Sequence, residues 1–175
     1  AELMPPLHRV FLVGPMGAGK TTIGKYLAEH LKLRFADTDT EIEVRTGADI
    51  PWIFDVEGEE GFRAREQQVV AEMTEWDDVV LATGGGVVLR PENRSALAGR
   101  GFVIYLYATV EEQVRRTRRD RRRPLLQKGD PETILRELMA QRDPLYREMA
   151  EHIIETDSCS PRMVAQRLVE ELAAL

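Results

Sequence analysis

Cysteine is nearly absent from this chain. Cys159 stands alone among 175 residues, so no internal disulfide can form and no cluster of soft metal ligands is available. Histidine is scarce as well: His8, His30 and His152 are scattered, and none has the spacing of a zinc site. No run of about eighteen apolar residues could span a bilayer, which excludes a membrane helix. The opening "AELMPPLHRVFLVG" has no basic head followed by an apolar stretch and a small-residue cleavage site, so no secretory signal is expected and the cytoplasm is the expected compartment. Repeats, low-complexity tracts and long linkers are also missing. A net charge of −6 runs against general nucleic-acid affinity, although it leaves room for a local basic patch. What is present is 43% hydrophobic and 31% charged residues, in a length suited to one domain, 1–175, with a sizeable core.

The chain alternates strand and helix patterns. His8 to Val13 is a short apolar run bounded by glycine, and a helical pattern follows from Thr21 to Leu31. A second short strand is expected to end near Asp37. From there to about Glu75 two or three helices fit, interrupted at "GADIPW" and "VEGEEG". "DDVVLATGGG" predicts a third strand running into Gly84, Gly85 and Gly86. "PENRSALAGRG" predicts a helix with Pro91 near its first turn and Gly99 or Gly101 past its end. Phe102 to Ala108 is continuously apolar, as buried parallel strands are. A helix is expected from about Val110, and another from Pro131 to about Met149 that Pro144 should kink or break. "HIIET" gives the last strand, and Ser160 before Pro161 is a good N-cap for the final helix. This alternation implies an α/β fold of three layers, with right-handed crossovers and a mainly parallel sheet covered on both faces.

"GPMGAGKT", Gly14 to Thr21, matches G-x-x-x-x-G-K-[ST] and lies between an apolar strand and a helix start, where a phosphate-binding loop must lie. Glycines let the backbone wrap a phosphate with its N–H groups pointing inward, and the helix N-terminus adds partial positive charge. Lys20 should reach the β- and γ-phosphates and the Thr21 hydroxyl should ligate Mg²⁺. A guanine-reading N-K-x-D is missing, since Asn93 is the only asparagine and Arg94 follows it. The metal-binding aspartate that many NTPases place at the end of the third strand is missing too, because "VVLA" runs into Thr83 and three glycines. Asp37, ending the second strand, is the natural substitute.

Asp37 and Asp39 stand at i and i+2, and in an extended chain both would face one crevice; the alternative is that they cap the next helix. Arg63 precedes Glu66 by three residues on an expected helix, which on sequence grounds is most simply a surface pair. Three successive glycines contribute no packing and suit close approach of backbone to a ligand, or else a plain turn. Arg115 to Pro124 holds seven arginines, but Glu111, Glu112 and the net negative charge speak against a nucleic-acid patch.

Taken in order, "GPMGAGKTTIGKYLA", "FADTDTEIE", "GEEGFRAREQ", "LATGGGVV", "RRRPLL" and "RDPLYREMA" resemble the shikimate kinase family over nearly the whole chain. The resemblance implies a nucleoside-monophosphate-kinase-like fold with a five-stranded parallel sheet, a substrate-binding region at about 38–66 and a lid at about 116–130. It implies transfer of the ATP γ-phosphoryl group to the 3-hydroxyl of shikimate, with Mg²⁺, on the route to chorismate and aromatic amino acids. ATP contacts then fall to Gly17, Ala18, Gly19, Lys20, Thr21 and Thr22, to Arg116 near adenine, to Arg123 closing on the phosphates, and to backbone at Cys159. Arg63 and Arg142 would take the substrate carboxylate, Gly84, Gly85 and Gly86 would line the substrate with the Gly85 N–H against it, and Asp39 would hold the attacking hydroxyl. Thr21 and Asp37 would serve the metal, while Lys20, Asp39 and Arg123 would carry the catalysis. A monomer is expected. The rivals are a kinase of the same fold acting on gluconate or a nucleoside monophosphate, and a nucleotide-sensing or RNA-binding module.

Overall fold

Successive residues of the central strands face two separate cores. In the computed structural model, which describes residues 7–118, 129–157 and 159–175, Phe11 and Val13 of β1 (Arg9–Val13) enter one core, and Val10 and Leu12 enter the other. The same alternation separates Leu81 from Val80 in β3 (Val79–Ala82), and Val103 and Tyr105 from Ile104 and Leu106 in β4 (Phe102–Tyr107). A period of two with both faces buried is what a sheet covered by helices on each side requires. With β2 (Arg34–Asp37) and β5 (His152–Glu155) the sheet has five strands, ordered β2-β3-β1-β4-β5, and every pairing is parallel.

Helices α1 (Lys20–Leu31) and α7 (Pro161–Ala173) cover one face through Ile23, Leu27, Val164 and Leu168. The opposite face is covered by α3 (Ile50–Met73), α4 (Pro91–Arg100) and α6 (Pro131–Met149), through residues such as Phe62, Val70, Leu97 and Tyr146. Two shorter helices, α2 (Thr38–Thr46) and α5 (Val110–Thr117), follow directly on the carboxyl ends of β2 and β4. Because all strands are parallel, the segments after β1, β2 and β3 open on one edge of the sheet, where α/β folds bind ligands.

Two sequence expectations need correction. Pro144 does not break α6, which runs unbroken from Pro131 to Met149. The carbonyl that proline leaves without a donor belongs to Ala140, which is exposed, so water can satisfy it. The third strand stops at Ala82, before the glycines, because the Thr83 hydroxyl and N–H both bond back to the Leu12 carbonyl as the chain leaves the ladder. The Ser160 cap on α7 is as expected: its hydroxyl accepts from the Met163 N–H.

Gly101, at the turn between α4 and β4, shows how tightly the helices dock. A Cβ there would lie 2.6 and 2.8 Å from carbons of the buried Phe11 ring and 2.9 Å from the Arg9 carbonyl oxygen. Gly101→Ala should therefore cost about 1–3 kcal/mol of overpacking and lower the midpoint of thermal unfolding by roughly 2–12 °C. Gly99→Ala, in exposed helix with nothing within 4 Å of the added carbon, should instead raise the midpoint by about 1–4 °C from helix propensity alone. Calorimetric melts of the two variants check both signs.

Candidate active site

The loop after β1 is built as the motif requires. Gly14, Gly17 and Gly19 have φ of 152°, 80° and 89°, in the region that disfavours side chains. Lys20 curls over the loop, its Nζ donating to the carbonyls of Gly14 at 2.6 Å and Pro15 at 2.9 Å. One residue on, Thr21 Oγ1 donates to Asp37 Oδ2 at 3.0 Å. Asp37 is also the N-cap of α2, its Oδ1 accepting from the N–H groups of Asp39 and Thr40. Capping and proximity to the loop hydroxyl thus belong to one carboxylate. Among the described residues no group of three or more His, Cys, Asp or Glu could hold a metal by itself. A single carboxylate beside a hydroxyl does fit Mg²⁺, which keeps several waters and relies on substrate phosphates for further ligands.

Asp39 is placed differently from the extended-chain expectation. The strand ends at Asp37 and α2 begins at Thr38, so Asp39 lies in a first helical turn and the two aspartates do not share a strand face. The Asp39 carboxylate is nevertheless aimed into the crevice. A Cβ added to Gly84 would stand 2.9 and 3.3 Å from its oxygens and 3.1 Å from Glu66 Oε2. One residue further, a Cβ on Gly85 would meet Arg142 Nη1 at 3.4 Å, and on Gly86 it would fall within 2.5 Å of the Arg63 guanidinium. Three separated sequence elements therefore deliver side chains to three successive glycines, α3 giving both Arg63 and Glu66. None of the three has a positive φ. Their missing side chains make room for Asp39, Arg142 and Arg63, a reason that pattern reading alone did not supply.

The expected nucleotide side lies across the loop. A cleft of about 550 Å³ is lined by Gly17, Ala18, Gly19, Arg116, Thr156 and Cys159 among others. Arg116 is fixed there by Glu112 at 3.0 Å, the Gly17 carbonyl at 2.8 Å, and the Thr156 hydroxyl and carbonyl at 3.1 and 2.8 Å. Cys159 lines the same cleft, with Arg167 Nη1 at 3.6 Å from its sulfur. Arg123 and most of the expected lid lie outside the described residues. Two neighbouring arginines sit in exposed ion pairs instead: Arg65 donates twice to Glu57, and Arg147 pairs with Asp143 over the rings of Tyr105 and Tyr107.

Sequence reading paired Arg63 with Glu66 but missed how deeply the arginines are buried and the parts of Glu59 and Tyr146 beside them. Arg63 and Arg142 are 7% and 5% exposed, and Glu66 is fully buried. Arg63 Nη1 donates to Glu66 Oε1 at 3.0 Å, and its Nε reaches Glu59 at 3.3 Å. Burial pushes the Glu66 carboxyl up, opposed by Arg63, Arg142 and Arg90. Burial pulls Arg142 down from the usual guanidinium range, and its Nε has no hydrogen-bond partner among the described residues. A cation so placed favours an anionic ligand with two oxygens to offer. Tyr146 was not singled out either; a hydrophobic i+4 spacing from Arg142 on α6 was its only signal. Removing one partner of a buried ion pair leaves the other charge uncompensated. Glu66→Leu should thus destabilise by roughly 3–5 kcal/mol and lower the unfolding midpoint by roughly 6–20 °C, measured by circular dichroism.

Comparison with known proteins agrees with this geometry. The sequence model of the family described as "Shikimate kinase" matches residues 16–173. A shikimate kinase of Pseudomonas syringae pv. tomato is 60% identical over 169 residues, covering 97% of this chain and 98% of its own length. One from Pseudoalteromonas atlantica is 55% identical, with 97% and 99% covered. Among solved structures, the shikimate kinase of Acinetobacter baumannii in complex with shikimate superposes with a TM-score of 0.93 at 53% identity, covering 96% of this chain and 94% of that one. The enzyme of Aquifex aeolicus does so with a TM-score of 0.81 at 30% identity. With a phosphate loop, a crevice of buried arginines beside three glycines, and a match over nearly its full length, the chain belongs to the shikimate kinase family.

Proposed function

We propose that the chain transfers the γ-phosphoryl group of ATP to the 3-hydroxyl of shikimate, giving shikimate 3-phosphate and ADP. The observation that carries this reading is the convergence of Asp39, Arg142 and Arg63 on Gly84, Gly85 and Gly86, one strand away from the phosphate loop. Two buried guanidiniums select a carboxylate, and Arg142, with its unpartnered Nε, is the one whose charge most lacks compensation. Asp39 holds the acceptor hydroxyl and takes its proton late in transfer, as the loose transition state of phosphoryl transfer demands little base strength. The backbone N–H of Gly85 helps fix the acceptor's orientation. Lys20 moves from the loop carbonyls to the β- and γ-phosphates, offsetting charge where it develops.

Mg²⁺ would be held by Thr21 Oγ1 and Asp37, and when bound it would supply positive charge to the phosphate oxygens. Arg116, braced against Gly17 and Thr156, and backbone at Cys159 form the adenine side of the cleft. Arg123, in the lid at about 116–130, lies outside the described residues, and the family resemblance assigns it to the ATP phosphates. The substrate-binding region comprises about 38–66 within one domain. We read the protein as a cytoplasmic monomer acting on small molecules; among the described residues no helix is long and apolar enough to cross a membrane.

ADP release from ATP and Mg²⁺ should depend on shikimate and should not be elicited by gluconate or AMP; equal release with either would replace the assignment with another acceptor. Asp39→Asn should lower kcat by about 10²–10⁴ with the KM for ATP within a few-fold, and near-normal turnover would remove Asp39 from the chemistry. Arg63→Ala should raise the KM for shikimate by roughly 10–100-fold, the loss of a charge-assisted hydrogen bond in a dry site. An unchanged KM in that variant assigns the carboxylate to another group.

A further inference from the structure

Tyr146 is fully buried on α6, one helical turn past Arg142. Its ring packs on Tyr105 with centroids 4.8 Å apart, and its hydroxyl donates to the carbonyl of Gly85. The same hydroxyl interacts with the Arg142 guanidinium, whose Nη1 faces Gly85. Burial pushes the phenol up to about 12, so it stays a donor across the working range of an enzyme. One hydroxyl thus links two parts of the acceptor wall that come from different elements: the glycine segment after β3 and the arginine of α6. A second tyrosine fastens the same helix through a different bond. Tyr105 Oη donates to Asp143 at 2.6 Å, tying α6 to β4.

We propose that Tyr146 is a positioning residue for acceptor binding: its bond to the Gly85 carbonyl sets the glycine segment against Arg142, so that the Gly85 N–H and the guanidinium meet one ligand together. This rests on the reading that the acceptor carboxylate binds at Arg142. A carbonyl held by a buried hydroxyl cannot rotate away, so the Gly85–Gly86 peptide plane is fixed, and the Gly85 N–H, in the preceding plane, turns only about the two backbone bonds of Gly85 itself. Filling the core would not by itself require the hydroxyl, because a phenyl ring occupies nearly the same space.

The test compares Tyr146→Phe and Tyr105→Phe, both of which keep the ring and lose one buried hydroxyl at the α6 junction. Tyr146→Phe should raise the KM for shikimate roughly five- to tenfold, the equivalent of one buried hydrogen bond, with the KM for ATP within twofold. Tyr105→Phe should lower the unfolding midpoint and leave both KM values within twofold. Isothermal titration with shikimate alone gives the same comparison where a variant turns over too slowly to follow. A Tyr146→Phe variant that melts lower but binds shikimate normally shows a structural role only and overturns the inference. So does an equal rise in KM in Tyr105→Phe. A wild-type chain inert with shikimate overturns the functional reading and this inference with it, whereas an active wild type with either variant result above overturns the inference alone.

Discussion

Two arginines are buried within reach of each other, and much of the molecule is arranged around that cost. Each charge loses its hydration, and the Arg63 charge bears on Arg142 as well, adding to the downward pull of burial. Glu66 offsets part of this from the same helix as Arg63, and Glu59 reaches Arg63 from the turn before. The offset is uneven. Arg63 has two carboxylates and Arg142 has an aromatic hydroxyl. A fold that tolerates such an arrangement gives up stability that an anionic ligand would return, a common relation between strained polar groups and binding.

Placement of this pair depends on the parallel sheet. Strands β2, β3 and β1 are adjacent, so Asp37, the glycines after β3 and the phosphate loop emerge side by side at one edge. Gly14 secures the loop's starting point: a Cβ there would fall 2.4 Å from the Leu106 carbonyl, so β1 can leave the sheet this close to β4 only without a side chain. The side chains that meet the glycines come from three distant segments, α2, α3 and α6, and α6 meets the glycine segment through Tyr146. Precision at the site is therefore a property of helix docking.

The strand–helix alternation was legible because each strand is a short, nearly continuous apolar run and each helix start carries its own punctuation, such as Ser160–Pro161 before α7. The phosphate loop was legible because its chemistry is local, contained in eight residues. Arg63 and Arg142 were a different matter. Residue pattern alone made Arg63 a surface pair, since an i,i+3 Arg–Glu spacing is the same on a wet helix face as on a buried one; only the family resemblance brought the two arginines together. The same limit explains Asp39. Two aspartates two apart look alike in extended chain, and only the capping bond from Asp37 reveals that the chain has already turned into a helix. A second reason for the three glycines, room for other side chains, was out of reach, because those side chains come from residues 39, 63 and 142.

Asp37 then joins the two halves of the site. Its Oδ2 takes the Thr21 hydroxyl at the phosphate loop, while its Oδ1 takes the N–H of Asp39 and of Thr40. A carboxylate that accepts from both sides cannot shift toward one without straining its bonds to the other. Because α2 is only nine residues long, a cap is a large part of what orders its first turn. That first turn is what carries Asp39. Whatever draws Asp37 toward the loop therefore bears on the turn that aims Asp39 at the acceptor, a path of two residues of chain and one side chain. From the end of β2 a single carboxylate thus bonds both the Thr21 hydroxyl of the phosphate loop and the N–H groups of the turn whose carboxylate faces Gly84.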